Sequence, residues 1–222
     1  MSSFLGPIHY WLFSKIKLVE DRENAIIKVF SEKFGDDVNT IAKDARAKYG
    51  EPVGDTSLDQ MIGDSPIHGF LNGRITAAET RESYVLSELI KKYGTDANSL
   101  AMDTAYNHGL ETGKRALKEY EIEDVNPESA YRALQNFFLD GMPCDHVTEV
   151  DQPSEKALHG RHTDCLHKPY WDEAGIAGSF MCEYLAKWVD GFIAGLGSSV
   201  KYKRIKSIIK GDTHCEDVFE KA

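Results

Sequence analysis

A gapless internal repeat constrains this chain more than any other feature. Residues 7–54 and 66–113 match at a constant offset of 59, and 16 of the 48 aligned pairs are identical, where about three would be expected from average composition. Pro7-Ile8-His9 recurs as Pro66-Ile67-His68, and Lys33-Phe34-Gly35 as Lys92-Tyr93-Gly94. Asp37, Asn39, Ala42, Asp44, Gly50 and Gly54 recur as Asp96, Asn98, Ala101, Asp103, Gly109 and Gly113. A repeated supersecondary unit cannot bury its apolar face alone, so the copies must pack on each other or on a shared neighbour.

Ahead of the first glycine the shared residues are His9, Leu12, Ile16, Glu20 and Glu23, then His68, Leu71, Ile75, Glu79 and Glu82. Their spacing, i, i+3, i+7, i+11, i+14, is an a/d seam on one helix face. The middle of the seam is apolar, but its ends are imidazole and paired carboxylates. Buried carboxylates are costly unless paired or metal-bound. Within one helix His9 and Glu20 stand roughly 16 Å apart, too far to share a ligand. Antiparallel seam helices would set His9 against Glu79 and Glu82, and His68 against Glu20 and Glu23. Each such set suits iron, manganese or zinc. Parallel seam helices would join the two His at one end, as for haem ligation, and gather four Glu at the other. Four Glu resemble a di-metal carboxylate bundle, without its Glu-x-x-His pairing. Arg22 and Arg81 also recur, and they offer a structural role for the same carboxylates, as salt-bridge partners.

The periodicity predicts helices over Ile8–Glu32, from Asp37 or Asn39 through Ala47, over Ile67–Lys92 and over Ala97–Tyr120, with Gly35 and Gly94 as stops. Residues 50–65, rich in Gly, Pro, Asp and Ser, read as the link between copies. Asn126-Pro127-Glu128 opens a further helix through Phe138. After it the texture changes. His146–Asp151 reads as a short strand, 152–170 as irregular, Asp172–Trp188 as a helix, Ser199–Ile205 as a strand, 208–212 as a turn, and Thr213–Phe219 as a last strand. The fold class is α+β and mainly helical. A duplicated helical hairpin (7–54 and 66–113) lies within residues 1–122. Residues 123–222 form an α+β part with a small antiparallel sheet, in one compact unit with the first.

With 222 residues and a net charge of −10, the chain is unsuited to nucleic acid as its main partner or to a polybasic membrane contact. No apolar run approaches the roughly 20 residues a membrane span needs, and Lys15 and Lys17 interrupt any leader-like core near the start. The expectation is a cytoplasmic protein with free thiols, a small-molecule ligand and, as an open possibility, a homodimer.

All four cysteines, Cys144, Cys165, Cys182 and Cys215, fall between 144 and 215, with five of the eight histidines. Thiolate and imidazole are ligands for zinc and iron, and equally the nucleophile and base of thiol hydrolases. No Cys-x-x-Cys is present. The series Cys165…Cys182-Glu-Tyr184…Asp190…Gly211-Asp212-Thr-His-Cys215 resembles the C-terminal signature of the L-2-amino-thiazoline-4-carboxylic acid hydrolase family. Its Gly-Asp-x-x-Cys ending also resembles vinyl-reductase-type small-molecule-binding domains. The likeness covers roughly residues 125–220. It implies hydrolysis of a small cyclic amidine thioether at a C–N or C–S bond. Cys165 or Cys215 would be the nucleophile, His162 or His214 the base, and Asp164 or Asp212 its orienting partner, or else an activated water would attack. Cys182 and Tyr184 would contact substrate. The residues also permit plainer roles: Asp212 serving its turn, Cys182 and Cys215 packed in the core, and a binding module without catalysis.

Overall fold

The computed structural model describes residues 5–151 and 154–222. Among them lie eight helices: α1 (Pro7–Phe34), α2 (Asp37–Tyr49), α3 (Leu58–Ile62), α4 (Ile67–Tyr93), α5 (Thr95–Glu119), α6 (Pro127–Phe137), α7 (Lys168–Ala174) and α8 (Gly178–Leu196). Four strands, β1 (Thr148–Val150), β2 (Ala157–His162), β3 (Val200–Lys206) and β4 (Cys215–Lys221), form one antiparallel sheet in the order β1-β2-β4-β3. The fold is α+β.

The seam helices α1 and α4 run side by side in the same direction. The His9 and His68 rings lie 6.1 Å apart at one end. Further along, Arg22 meets Glu82 at 2.6 Å and Arg81 meets Glu23 at 2.7 Å. These two pairs are the same contact with the copies exchanged, the mark of a pseudo-twofold relation. Leu12 and Ile16 of α1 and Leu71 and Ile75 of α4 bury the middle of the seam. The linker is not bare loop: Ser57 starts α3, which lays Leu58 and Ile62 over that apolar stretch.

The copies diverge at their glycines. In the first, α2 ends at Gly50, whose φ of +92° lies in the left-handed range that favours glycine. In the second, α5 runs on through the equivalent Gly109 and Gly113. There the two glycines let α8 touch backbone: a Cβ on Gly109 would sit 2.1 Å from the Trp188 carbonyl oxygen, and one on Gly113 2.1 Å from that of Phe192. Gly191 and Gly195 of α8 return the contact on α5.

Three sequence readings are corrected here. The irregular stretch contains β2, whose Gly160, two His and one Arg give it little strand propensity; pairing to β1 and β4 on both sides holds it. The helix read over Asp172–Trp188 is two helices, broken after Ala174 where Gly175 takes a φ of +67°, and the second runs on to Leu196. The last strand begins at Cys215, leaving Thr213 and His214 in the turn. By contrast α6 starts as its sequence dictates, with the Asn126 side chain accepting from the Glu128 and Ser129 N–H groups.

Alternation and register put Leu158, Gly160 and His162 of β2, Cys215, Asp217 and Phe219 of β4, and Tyr202 and Arg204 of β3 on one face of the sheet. That face meets α6 and α8. Phe30 of α1, Leu86 of α4, Phe192 of α8 and Phe219 of β4 belong to a single buried cluster, so the repeat and the C-terminal part share a core. No helix among the described residues is long and apolar enough to cross a membrane.

Candidate functional site

The inner face of the sheet, α6, α8, the start of α1 and the segment 139–148 enclose a cavity of about 320 Å³. Trp11, Tyr131, Leu134, Phe138, Val189 and Phe219 are among its apolar and aromatic lining residues. Lys15, Asp140, His162, Arg204 and Asp217 are its charged or titratable groups, with His146 at the exposed side. A second recess of about 30 Å³ shares Phe138, Asp140, His162 and Arg204 with the first, and is lined by Cys165, Cys182 and Cys215.

A chain of charged contacts runs through the site. Arg204 holds Asp217 with two parallel bonds of 2.8 and 2.9 Å, the planar fork geometry that makes such pairs strong. The Tyr202 hydroxyl donates to the same carboxylate. His162 Nδ1 lies 3.9 Å from Asp217, and its Nε2 lies 2.7 Å from Asp140. Burial pulls Asp140 upward, but His162 and His167 outweigh it and hold its carboxyl at about 2. His167 Nδ1 in turn bonds Glu79 at 2.7 Å. Burial disfavours the His167 cation, yet Glu79 and Asp140 raise its pKa above the ordinary value. The second copy of the repeat therefore joins this chain of contacts through Glu79, while the first lines the cavity with Trp11 and Lys15. Glu20, the first-copy equivalent of Glu79, accepts from the Val53 N–H and from Arg81 instead.

Cys182 and Cys215 are buried and Cys165 partly so, and burial raises the thiols of Cys165 and Cys215 rather than activating them. Burial pushes Cys165 up to about 11, against bonds from the Lys168 and His167 N–H groups. Burial also raises Cys215, whose sulfur accepts from the Ile208 N–H. Cys182 lies 3.2 Å from the Ser207 hydroxyl, and Arg204 donates to its sulfur at 3.4 Å. Cys144 is exposed.

Of the residues singled out from sequence, the structure brings His162, Asp164, Cys165, Cys182 and Cys215 around one recess. Asp164 is the exposed member of that set and accepts from the adjacent Cys165 N–H. Asp212 closes its turn by accepting from the Ser207 N–H at 2.8 Å. His214 lies near Lys206 and Glu216, away from both cavities. Tyr184 is fully buried and donates to Glu82 at 2.9 Å.

The seam carboxylates do not converge. Glu20 and Glu23 meet Arg81, Glu82 meets Arg22, and Glu79 meets His167. At the other end His9 is half-buried, its Nδ1 accepting from the Gly6 N–H, and His68 is exposed. Among the described residues no group of three or more His, Cys, Asp and Glu side chains is disposed to hold a metal ion.

No protein-family model and no curated protein matches the chain. Two solved structures align along most of it. One comes from work on modulating heme redox potential through protein-induced porphyrin distortion: 12% identity, 88% of this chain, 96% of the other, TM-score 0.37. The other comes from work probing heme distortion in the H-NOX family: 10% identity, 89% of this chain, 91% of the other, TM-score 0.35. At these scores the likeness assigns no ligand.

Sequence reasoning missed Lys15, Asp140, Arg204 and Asp217 as site residues. Lys15 alone left a signal: it stands among Leu12, Ile16 and Val19 on the buried face of α1, and Arg74 repeats the basic residue in the second copy.

Proposed function

We propose that this chain binds a small organic molecule in the cavity between the sheet, α6 and α1. The carrying observation is the cavity itself. Its roughly 320 Å³ are walled mainly by aromatic and aliphatic side chains, with a few converging polar groups, the composition of a small-molecule site. N-phenyl-1-naphthylamine, a neutral aromatic dye, is expected to bind once per chain with a fluorescence rise. Leu134→Trp and Val189→Phe, which enlarge lining side chains on α6 and on α8, should each weaken it about tenfold or more. Unaltered binding in both variants would rule the cavity out as the site.

Haem is a finer reading of the same cavity. It is supported by His146, whose imidazole lines the cavity and has no hydrogen-bond partner among the described residues. Hemin titrated in the same way should then give a Soret band that the filled variants lose. Bound there, haem would supply redox or gas-ligand chemistry.

Hydrolysis of a cyclic amidine thioether is the other finer reading. It is supported by the three thiols and His162 around the recess. With Cys165 held at about 11 and Cys215 raised, both stay protonated near neutrality, which favours attack by water over attack by sulfur. His162, positioned by Asp140, would take a proton from water as its oxygen bonds the amidine carbon, and would pass it to the ring sulfur as the carbon–sulfur bond breaks and the ring opens to the free thiol. The expected product from L-2-amino-thiazoline-4-carboxylic acid is N-carbamoyl-cysteine, with turnover lost in His162→Gln and kept in Cys165→Ser. Loss in Cys165→Ser with retention in His162→Gln would reverse the assignment.

A further inference from the structure

One cation in the cavity wall has no anion. Lys15 is 94% buried, being only 6% exposed. Its ammonium lies 3.5 Å from the centroid of the Trp11 ring. It forms no hydrogen bond or ion pair with any described residue; Asp140 acts on it only through space. The other cavity cation is already engaged, since both arms of Arg204 are on Asp217. Stripping water from an ammonium is costly unless a counter-charge replaces it. The repeat itself does not impose this. In the second copy Arg74 lies over Phe70, as Lys15 does over Trp11, but it is only half-buried. Lys15 shares the cavity lining with residues of the C-terminal part, Tyr131, Asp140 and Arg204 among them.

We propose that Lys15 anchors an oxyanion, so that the molecule filling this cavity pairs an apolar aromatic body with one carboxylate- or sulfonate-type group. This rests on the reading of the cavity as a ligand site and adds the charge of its occupant. The body would lie along Tyr131, Leu134 and Phe138, with its anionic end against the ammonium at the α1 wall. The Trp11 face holds the ammonium in place without neutralising it, which leaves the charge available to an incoming anion.

The protonation of Lys15 supplies an independent handle. Burial draws its pKa down to about 7, against the pull of Asp140. An anion binds the ammonium and not the amine, so affinity for it should fall as pH rises through that value. Asp140, His146, His162, Arg204 and Asp217 face the same cavity, so the wild-type profile must be read against that of a Lys15 variant.

The test uses two dyes of nearly one shape, neutral N-phenyl-1-naphthylamine and 1-anilinonaphthalene-8-sulfonate, which adds the sulfonate. The intact wild-type chain should bind the sulfonate tighter than the neutral dye at about pH 6 and lose that preference by about pH 9. Lys15→Met should weaken the sulfonate about tenfold or more, leave the neutral dye within about twofold, and flatten the pH profile. Lys15→Arg should keep most of the preference. Sulfonate binding unchanged in Lys15→Met, with the neutral dye bound, would overturn the anchor and leave the cavity reading standing. Binding of neither dye to the wild type would overturn both. The wild-type pH profile holds the test open if the Met variant unfolds, because a profile flat from about pH 6 to about pH 9 also overturns the anchor.

Discussion

Replacing Gly191 with alanine should lower stability by about 3 kcal/mol, the upper end of what overpacking costs. The added Cβ would lie 2.0 Å from the Tyr106 carbonyl oxygen and 2.8 Å from its carbon. Both are backbone atoms of a helix and cannot swing aside. Relief requires α8 to move off α5, and that movement loosens the three neighbouring glycine contacts at Gly109, Gly113 and Gly195. At about 2–4 °C per kcal/mol for a chain of this size, the midpoint should fall by about 6–12 °C in calorimetry. Gly73→Ala is the matched control. Gly73 lies inside α4 with open space around its Cβ position, so the same change there should gain up to about 1 kcal/mol of helix propensity. Equal midpoints for the two variants would refute the close-approach account of α5 and α8.

Arg81→Met should cost about 3–5 kcal/mol, because it strands buried carboxylates. Arg81 is fully buried and donates to Glu23 at 2.7 Å, to Glu20 at 3.1 Å and to the Gly50 carbonyl at 3.0 Å. Burial already raises Glu23 to about 7 with the guanidinium in place, and one of its oxygens has no partner. The sign of the pH effect follows from that. A carboxyl whose folded pKa lies above its unfolded value stabilises the fold while both states are protonated, and that stability is lost as pH rises through the folded value. Removing Arg81 moves the folded value higher still. The loss measured by denaturant unfolding should therefore be larger at about pH 8 than at about pH 5. Adding Glu23→Met to Arg81→Met should recover much of it, since an apolar pair of similar volume often replaces a buried ion pair without loss. A pH-independent loss that the second substitution does not relieve would show that Arg81 acts through packing alone.

How far the site could be read from sequence differs residue by residue. His162, Cys165, Cys182 and Cys215 stood out by chemical type, and the fold brings them to one recess. Asp140, Arg204 and Asp217 carried no such mark, because a lone Asp or Arg in a polar stretch is ordinary. They matter only because β3 and β4 align Arg204 opposite Asp217 and the segment after α6 carries Asp140 to His162. The seam carried a mark that was strong but ambiguous: Glu20, Glu23, Glu79 and Glu82 with Arg22 and Arg81 allow either a metal set or salt bridges. Only the axial alignment of α1 with α4 decides which groups meet.

The sequence by itself determined the duplication, the four long helices of the two copies, the capped start of α6 and the α+β class. Each is written in spacings or residue types whose cause is local. Periodicity of 3.6, a capping Asn before Pro and a glycine after a helix act within a few residues of where they stand. Tertiary structure alone decided the parallel course of the seam helices, since an a/d stripe looks the same whichever way its partner runs. It also decided what Gly109 and Gly113 are for, since only the packed structure lays the α8 backbone against them. The burial of Lys15 was decided in the same way. The repeat supplies a cation over an aromatic ring twice, and packing buries Lys15 while leaving Arg74 half-buried.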